Sequence, residues 1–513
     1  MVIVPIEFSA IKCYNLCVYL ECALQHVLFK TGGLIMKRII ALLLVLVMIF
    51  AFTACKDKKR QVVKVTLSTE DSEAILAAAG IRLPDAEATL AAGTVVDWLC
   101  WYDPFQNYSQ DEIVNTGYFT FTEKYGSSIN WIECDYSGRL DTLANLVLAG
   151  NAPDCFPAGT AATATYPMSC IKGMFTHVDD YIDYTDPLWQ GMADAAEYFM
   201  LGDKHYSIIT DITFRDVCVY NRRVMQEWGF DDPAELYAND EWTWDVFYNM
   251  CMDFSDGDEN RYALDGYAYQ GGLVQSTGQQ VLQIDENGQF YSNIDSPEIE
   301  RAQNLVYDLV KNDCCYHEGN NRWALRNNGT FGAGLKEGLC LFYIIETSYF
   351  TGPVEEISNI WGDITQNEVM FAPMPRDPNG DGKYYLNTAV SGLCMVSGGD
   401  NLDGVALLAS CERFKKLDPT VIDIDKKQLK EKYLWTNEML DMYDHCEELA
   451  ARDPIIILEG DVPQNLNNAI NNLGNSITRA AEPTSWAQLK EQNKETIEYY
   501  IEELNAMIAE YDE

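Results

Sequence analysis

From Thr94 onward the apolar positions of this chain alternate between two periods. TVVDWLCWYD is a β-rich apolar run that ends at Trp101-Tyr102-Asp103-Pro104. DEIVNTGYFTFTEKYG predicts a helix and SSINWIECDY a strand. In GRLDTLANLVLAG, Leu140, Leu143, Leu146 and Val147 recur at helical spacing and Gly150 marks the stop. Asn151-Ala152-Pro153-Asp154 then turns the chain into a short strand at Cys155-Phe156. HYSIITDITFRDVCVYN predicts a strand passage, and RRVMQEWGF a helix ended by Gly229. Two more helices follow, one with Thr243 as its N-cap and one with Pro297 in its first turn. LKEGLCLFYIIETSYF reads as a buried strand running into an aromatic loop. EVMFAPMPRDPNGDGKYYLNTAVSGLCMVSG predicts two strands paired around a Pro/Gly turn, and from about Asp403 the pattern is helical. Strands alternating with helices predict an α/β architecture with largely parallel sheets. No repeat of about 20–50 residues is present, which excludes solenoids and propellers.

The first sixty residues carry a different signal. Met36-Lys37-Arg38 precedes an apolar run of 14 residues, Ile39 to Phe52, then Thr53-Ala54-Cys55 and a charged stretch. A basic start, a short apolar core and small residues before a cut site describe a secretory signal, since a spanning helix needs about 20 residues. Cysteine directly after small residues is the pattern of a bacterial lipoprotein signal, which makes Cys55 the expected lipidated N-terminus. Met36 is the expected start, with Gly32-Gly33 encodable as a ribosome-binding site and residues 1–35 an upstream extension. Residues 56–93 begin as a charged tether and become an Ala-rich amphipathic segment.

At 513 residues the chain exceeds one core and predicts two domains. It carries 78 acids against 36 bases, a net charge of −42, and loss of residues 1–54 takes it to −44. Such a charge opposes nucleic acid, anionic membrane and polyanionic ligands, and leaves neutral and cationic solutes. Twelve cysteines follow Cys55, and several, such as Cys218, Cys340 and Cys394, lie in apolar strand-like runs. That setting predicts mostly free, buried thiols. No Cys/His spacing suggests zinc, and no cofactor is expected. Asp377-x-Asn379-x-Asp381-Gly382 begins like a calcium loop but has Thr388 where Glu is required, so a hairpin turn is predicted. Asp256, Asp258 and Asn260 form a second acidic turn and a weak calcium candidate.

Several segments in register resemble the extracellular solute-binding proteins of ABC importers, specifically the sugar receptors that include maltose-binding protein. LANLVLAGNAPDCF is similar to that family's helix-Gly-x-x-Pro-Asp passage. VYNRRVMQEWGFDDPAE with WTWDVF resembles its Tyr-Asn, helix, Gly, Pro and Thr-Trp succession, and DFSDGDENRYALDGYAY its acidic turn. LKEGLCLFYIIETSYF resembles the strand that delivers an aromatic into the cleft, with Tyr349 where Trp is commoner. FAPMPRDPNGDG and SGLCMVSGGDN resemble its Pro-x-Pro strand and second interlobe crossing. The resemblance spans about Thr94 to the C-terminus; residues 61–93 are extra.

It implies a periplasmic-binding-protein-like α/β fold, two discontinuous lobes with a ligand cleft between them. Residues 36–54 are then the signal peptide and 55–93 the lipidated cysteine, tether and extra segment. Lobe 1 takes 94–215 and 387–450, lobe 2 takes 216–386, and 451–513 forms C-terminal helices mainly of lobe 2. Crossings are expected near Arg215–Cys218, near Leu386–Ser391 and somewhere in 445–465.

A sugar site needs aromatic platforms beside planar hydrogen-bonding side chains, and in α/β sheets ligands bind beyond the carboxyl ends of strands. On that argument the candidates are Trp101, Tyr102 and Asp103 after the first strand, and Gly159 and Thr160 after the next. Phe214 and Arg215 adjoin the first crossing, with hinge packing as their alternative role. Tyr267, Tyr269, Gln270, Glu346, Tyr349 and Asn387 complete the set, while Asp154 reads as a turn residue and Trp242 and Trp244 as core. The expected function is capture of a mono- or oligosaccharide by a monomer anchored to the outer face of the cell membrane through Cys55, for delivery to an ABC permease. A peptide, polyamine or other cationic solute is the alternative. An exported glycoside hydrolase is a third reading, disfavoured because no carboxylate pair and no GxSxG elbow is singled out.

Overall fold

Among the described residues eleven strands from separated parts of the chain assemble into the two main sheets, one of them the short strand Phe175–Thr176. The computed structural model describes residues 69–102, 116–159, 165–315 and 332–512, apart from positions 88, 267, 333, 480 and 481. The signal segment, Cys55, Asp103, Thr160 and Tyr267 lie outside the described residues. In the first sheet are β1 (Val95–Cys100), β2 (Ser128–Glu133), β3 (Cys155–Gly159) and β4 (Ile208–Phe214). In the second are β5 (Val217–Asn221), β6 (Tyr262–Asp265), β7 (Cys340–Ile345) and β8 (Val369–Ala372). The chain then returns to the first sheet with β9 (Asn387–Val396) and β10 (Ile455–Ile456).

The first sheet runs β10-β9-β3-β1-β2, with β4 also paired to β9. The second runs β8-β5-β7-β6. Both are mixed rather than largely parallel. β1 pairs in parallel with β2 and β3, but β9 runs antiparallel to β3 and β4, and β5 antiparallel to β7 and β8. The reversed strands are those that border a crossing: a strand arriving from the other sheet meets its new neighbours head-on.

A second difference follows from the same topology. The segment around Pro378 and Gly380 is not a hairpin turn, because β8 pairs with β5 in one sheet and β9 with β3 in the other. It is a passage between lobes. Asp377 is buried there, accepts from the Asn379 backbone N–H, and holds Arg301 Nη2 at 2.7 Å.

Side-chain alternation sorts the first sheet into two faces. Val96, Cys155, Ile208, Leu393 and Met395 pack with Leu408, Cys411 and Phe414 of the helix Leu402–Leu417. Their neighbours Leu99, Phe156, Ile209, Cys394 and Val396 face the opposite way, into the core that continues into the second lobe. β5, β7 and β8 are buried at every position, as an apolar run without alternation predicts. The extra segment packs on the first lobe, with Leu76 and Ala91 in its core and Tyr125 donating to the Pro84 carbonyl at 2.6 Å.

Seven helices matter for the site: α1 (Arg139–Leu148), α2 (Met168–Ile171), α3 (Tyr269–Gln275), α4 (Pro297–Lys311), α5 (Asn437–Arg452), α6 (Gln464–Thr478) and α7 (Trp486–Asp512). α4 has the predicted Pro at its first turn, with Ser296 accepting from the Glu298 and Ile299 N–H groups. α6 and α7 pack on each other and on α4. The helix before the acidic turn begins after Thr243 as expected, although the Thr243 side chain makes no capping bond. Trp242 and Trp244 are core residues, their indole N–H groups donating to the Pro373 carbonyl and to Ser276 Oγ. All twelve cysteines among the described residues are free, and Cys134 is the only one not buried.

Candidate ligand cleft and hinge

The two sheets are joined at Arg215-Asp216, between the last residue of β4 and the first of β5. Asn387, the first residue of β9, sews this crossing to the second one. Its carbonyl accepts from the Arg215 N–H at 3.1 Å, its Oδ1 from the Asp216 N–H at 2.9 Å, and its Nδ2 donates to Asp216 Oδ2 at 2.6 Å. The structure thus places Asn387, a ligand candidate from sequence, in the hinge with its amide already committed. Phe214 is buried and packs edge-on against Tyr443 of α5 at 5.0 Å, which is the hinge-packing alternative.

Asp216 is the buried charge at this junction. Withdrawal from water pushes its carboxyl above the usual range; Arg215 and the Asn387 hydrogen bond oppose that, and Glu346 adds to it. Arg215 Nε lies 3.8 Å from Asp216 Oδ2. Glu346 and Tyr349 follow the end of β7. Burial raises the Tyr349 phenol, Glu346 raises it further and Arg215 lowers it, so the three side chains share one electrostatic neighbourhood. Of the sequence candidates, Arg215, Glu346 and Tyr349 are therefore brought together from two separate segments, beside the crossing.

Past the end of β1, Trp101 and Tyr102 meet edge to face at 5.5 Å. Trp101 also meets Tyr136 at 5.6 Å, and the Arg139 guanidinium lies 4.5 Å from the Tyr136 centroid and 5.4 Å from that of Trp101. Tyr102 and Tyr136 are 42% and 48% exposed, while Trp101 is half-buried, 6.0 Å from the buried Phe156, and burial raises the Tyr102 phenol, so the shelf meets solvent along one side only. Tyr136 and Arg139 were missed from sequence, although the strand-end argument applied to β1 and β3 points equally to the loop after β2. Gly159 ends β3 with φ of 147°, a conformation that L side chains rarely adopt. Asp154 is structural: it accepts from the Asp97 and Asn401 N–H groups, both at 2.8 Å.

The third crossing runs from β10 to α6. Asp461 pins it to α2, accepting from the Ser169 N–H at 2.7 Å and from Ser169 Oγ at 3.1 Å. Burial pushes the Asp461 carboxyl up to about 6, against the Ser169 bonds and the charges of Lys172 and Arg139. Tyr269 is 1% exposed within the core, so its ring is packing; Gln270, the next residue, lines a polar cavity beside α6. The acidic turn is closed by its own backbone: Asp256 accepts from Asp258 and Glu259 N–H groups, and Arg261 Nη2 stands 3.3 Å away. Among the described residues no three or more His, Cys, Asp or Glu side chains converge as metal ligands.

Two α/β lobes joined by three crossings, with an aromatic shelf on one and an Arg–Glu–Tyr group at their junction, define a hinged binding protein. The chain belongs to the bacterial extracellular solute-binding proteins, whose family model matches residues 119–403. It is accordingly an exported protein. No curated protein matches the sequence. Solved structures with the same fold include the GacH receptor of Streptomyces glaucescens, which is 13% identical with a TM-score of 0.56, over 80% of this chain and 98% of that one. The extracellular solute-binding protein of Staphylococcus aureus in complex with maltose is 10% identical with a TM-score of 0.55, over 79% and 98%. The sugar-binding protein MalE of Xanthomonas citri is 12% identical with a TM-score of 0.55, over 81% and 98%. No helix among the described residues is long and apolar enough to cross a membrane.

Proposed function

We propose that the chain captures an extracellular mono- or oligosaccharide by closure of its lobes and delivers it to an ABC permease. The observation that carries this reading is the shelf of Trp101, Tyr102 and Tyr136, solvent-exposed at its two tyrosines, with Arg139 beside it. Sugar rings stack on such faces while planar charged groups accept and donate to their hydroxyls. Arg215, Glu346 and Tyr349 would close on the ligand from the junction, and Gly159 would let backbone approach it. The structural relatives support the ligand class: GacH was solved with acarbose and the Staphylococcus aureus protein with maltose. In this reading lobe 1 takes residues 94–215 and 387–450, lobe 2 takes 216–386 and most of the C-terminal helices, and Cys55 anchors the chain to the outer face of the membrane as a monomer.

The test is thermal shift and Trp fluorescence of residues 56–513 against sugars, peptides and polyamines, with recovery of the ligand. A sugar at 100 times its Kd should add about 2.7 kcal/mol of stability and be recovered unchanged. A shift with polyamines or cationic peptides alone would replace the ligand class with the one that the −42 charge favours. Consumption of the sugar would replace the binding reading with a hydrolase.

A further inference from the structure

The C-terminal helix α7 is 27 residues long, about 40 Å at 1.5 Å per residue, which is enough to reach past one lobe. Its buried stripe of Trp486, Leu489, Ile497, Ile501, Leu504 and Ile508 enters the core beside α4 and α6. Two ion pairs fix it there: Lys490 Nζ stands 3.1 Å from Glu300 of α4, and Lys494 pairs with Asp295, just before that helix. Farther along, Asn505 clasps the backbone of Phe290 in the hairpin 282–292. It accepts from the Phe290 N–H at 2.9 Å and donates to the Phe290 carbonyl at 2.8 Å. These anchors belong to the lobe of the second sheet, since α4 packs on α3 and α3 on β7.

The stripe continues one step beyond that lobe. Tyr511, three positions after Ile508, meets Tyr206 with the hydroxyls 2.7 Å apart and the rings edge to face at 6.3 Å. Tyr206 is 5% exposed and lies two residues before β4 of the first sheet. Phe290, held by Asn505, stacks at 6.4 Å on Tyr166, whose ring meets Phe199 edge-on at 5.8 Å. The Tyr206 N–H donates to the Phe199 carbonyl at 3.0 Å. Tyr166, Phe199 and Tyr206 thus form one patch of the first lobe, and it receives both Phe290 and Tyr511 from the other. None of these contacts is a chain crossing. Rotation of the lobes has to disturb them. The seven residues of β4 carry the chain from the Arg215-Asp216 junction back toward Tyr206, about 20 Å at 3.3 Å per residue. A turn of about 10° moves a point at that distance by roughly 3.5 Å, more than a hydrogen bond tolerates. A helix anchored at several points on one lobe cannot follow the other through that arc.

We propose that α7 is a strut between the lobes: its last turn, through Tyr511 on Tyr206, holds one lobe angle, and making or breaking this contact biases the equilibrium between open and closed forms. Tyr511, Tyr206, Phe290 and Tyr166 are not candidate ligand residues, so the strut tunes binding from outside the cleft. The lobe angle is a property of the unliganded chain; only the effect on affinity rests on the closure reading.

Dyes attached through genetically encoded azides at Leu148 and Glu337, exposed positions on the two lobes, report the lobe angle of the unliganded chain by single-molecule energy transfer. Tyr511→Ala should shift the balance of lobe angles about threefold to tenfold away from the parent's main population, the worth of one hydrogen bond with its ring contact. Tyr511→Phe, which keeps the ring and loses only the hydroxyl, should shift it about twofold or more, and it decides alone if Tyr511→Ala does not melt cooperatively. Tyr499→Ala, on the same helix and 54% exposed, is the control and should leave the distribution as it is. A parent-like distribution in the folded Tyr511 variants, whatever their melting temperature, would overturn the proposal, because the contact would then add stability without setting the angle. An equal shift in Tyr499→Ala would overturn it as well. The sugar Kd of Tyr511→Ala should change by the same factor as the populations. A shifted distribution with an unchanged Kd would uphold the strut and refute closure as the binding step.

Discussion

Asn387→Ala removes the side chain that binds the two crossings together. Two hydrogen bonds go: the one from Nδ2 to Asp216 Oδ2, at 2.6 Å, and the one Oδ1 accepts from the Asp216 N–H, at 2.9 Å. Asp216 is 4% exposed and its Oδ1 already has no partner, so the carboxylate keeps only Arg215, at 3.8 Å. Removing one partner of a buried charge costs about 3–5 kcal/mol, much of it the desolvation of the group left behind. The sign of the pH dependence follows. Burial holds the folded Asp216 carboxyl above its unfolded value, so its charged form is penalised; the penalty is full above the folded pKa and vanishes below the unfolded one. Loss of Asn387, which lowers that pKa, widens the gap. The assay is urea unfolding of variant and parent at pH 7.5 and at pH 5. The expected result is a difference of about 3–5 kcal/mol at the higher pH that shrinks at the lower. Adding Asp216→Asn, which removes the charge, should recover at least about 1.5 kcal/mol. A pH-independent difference below about 1 kcal/mol would refute the account of the hinge as a buried, amide-neutralised charge.

Four further outcomes are expected. Tyr349→Ala and Trp101→Ala should each weaken ligand about tenfold or more, measured by titration calorimetry on variants shown by a cooperative melt to be folded; equal affinity would remove these residues from the site. Gly392→Ala should destabilise by about 1–3 kcal/mol in thermal melts, because a Cβ there would sit 1.9 Å from the Ile208 carbonyl oxygen at the register shift between β9 and β4. Residues 56–513 should titrate all twelve thiols in denaturant without reductant and only Cys134 rapidly when native; fewer in denaturant would reveal disulfides. Asp461 at about 6, Glu447 at about 6 and Glu459 at about 7 all lie above their unfolded values, so the folded chain binds more protons. Stability should therefore rise as pH falls from about 8 to about 5.5, and a melting temperature that drops over that range would contradict these assignments.

The strands and most helix ends were legible because they are set locally. Gly150 and Gly229 stop their helices at φ of 71° and 68°, and Pro297 opens α4, in each case for reasons contained in a few residues. What local pattern does not carry is the partner of a strand. Two apolar strands around a Pro/Gly turn look the same whether they pair with each other or enter different sheets, and β8 and β9 do the second. The candidate site divides along the same line. Trp101 and Tyr349 follow from strand ends, whereas Asn387 reads as a polar residue near a cleft until its amide is seen closing on Asp216, 171 positions away. Asp461 was illegible for a like reason: its role depends on Ser169, 292 positions away.

The hinge differs in character on its two sides, and that constrains how closure works. On one side Asn387 and Asp216 join the first two crossings through directional bonds to a buried charge, which tolerate little rotation. On the other, α5 packs on both β4 and β8, and a chain of rings runs from one lobe to the other. Phe214 meets Tyr443 at 5.0 Å, Tyr443 meets Trp435 at 5.8 Å, and Trp435 meets Phe371 of β8 at 5.7 Å. Edge-on aromatic contacts hold over a range of angles at small energetic difference, so this face can shear while the polar junction stays fixed. The lobes would then turn about an axis close to Asp216 and Asn387. Arg215 and Tyr349, near that axis, would move least, and the Trp101 shelf, at the same end of the sheet but two strands away from β9, would sweep the larger arc. A ligand that spans both is gripped where the motion is small and covered where it is large, which makes closure sensitive to the ligand's length as well as its chemistry.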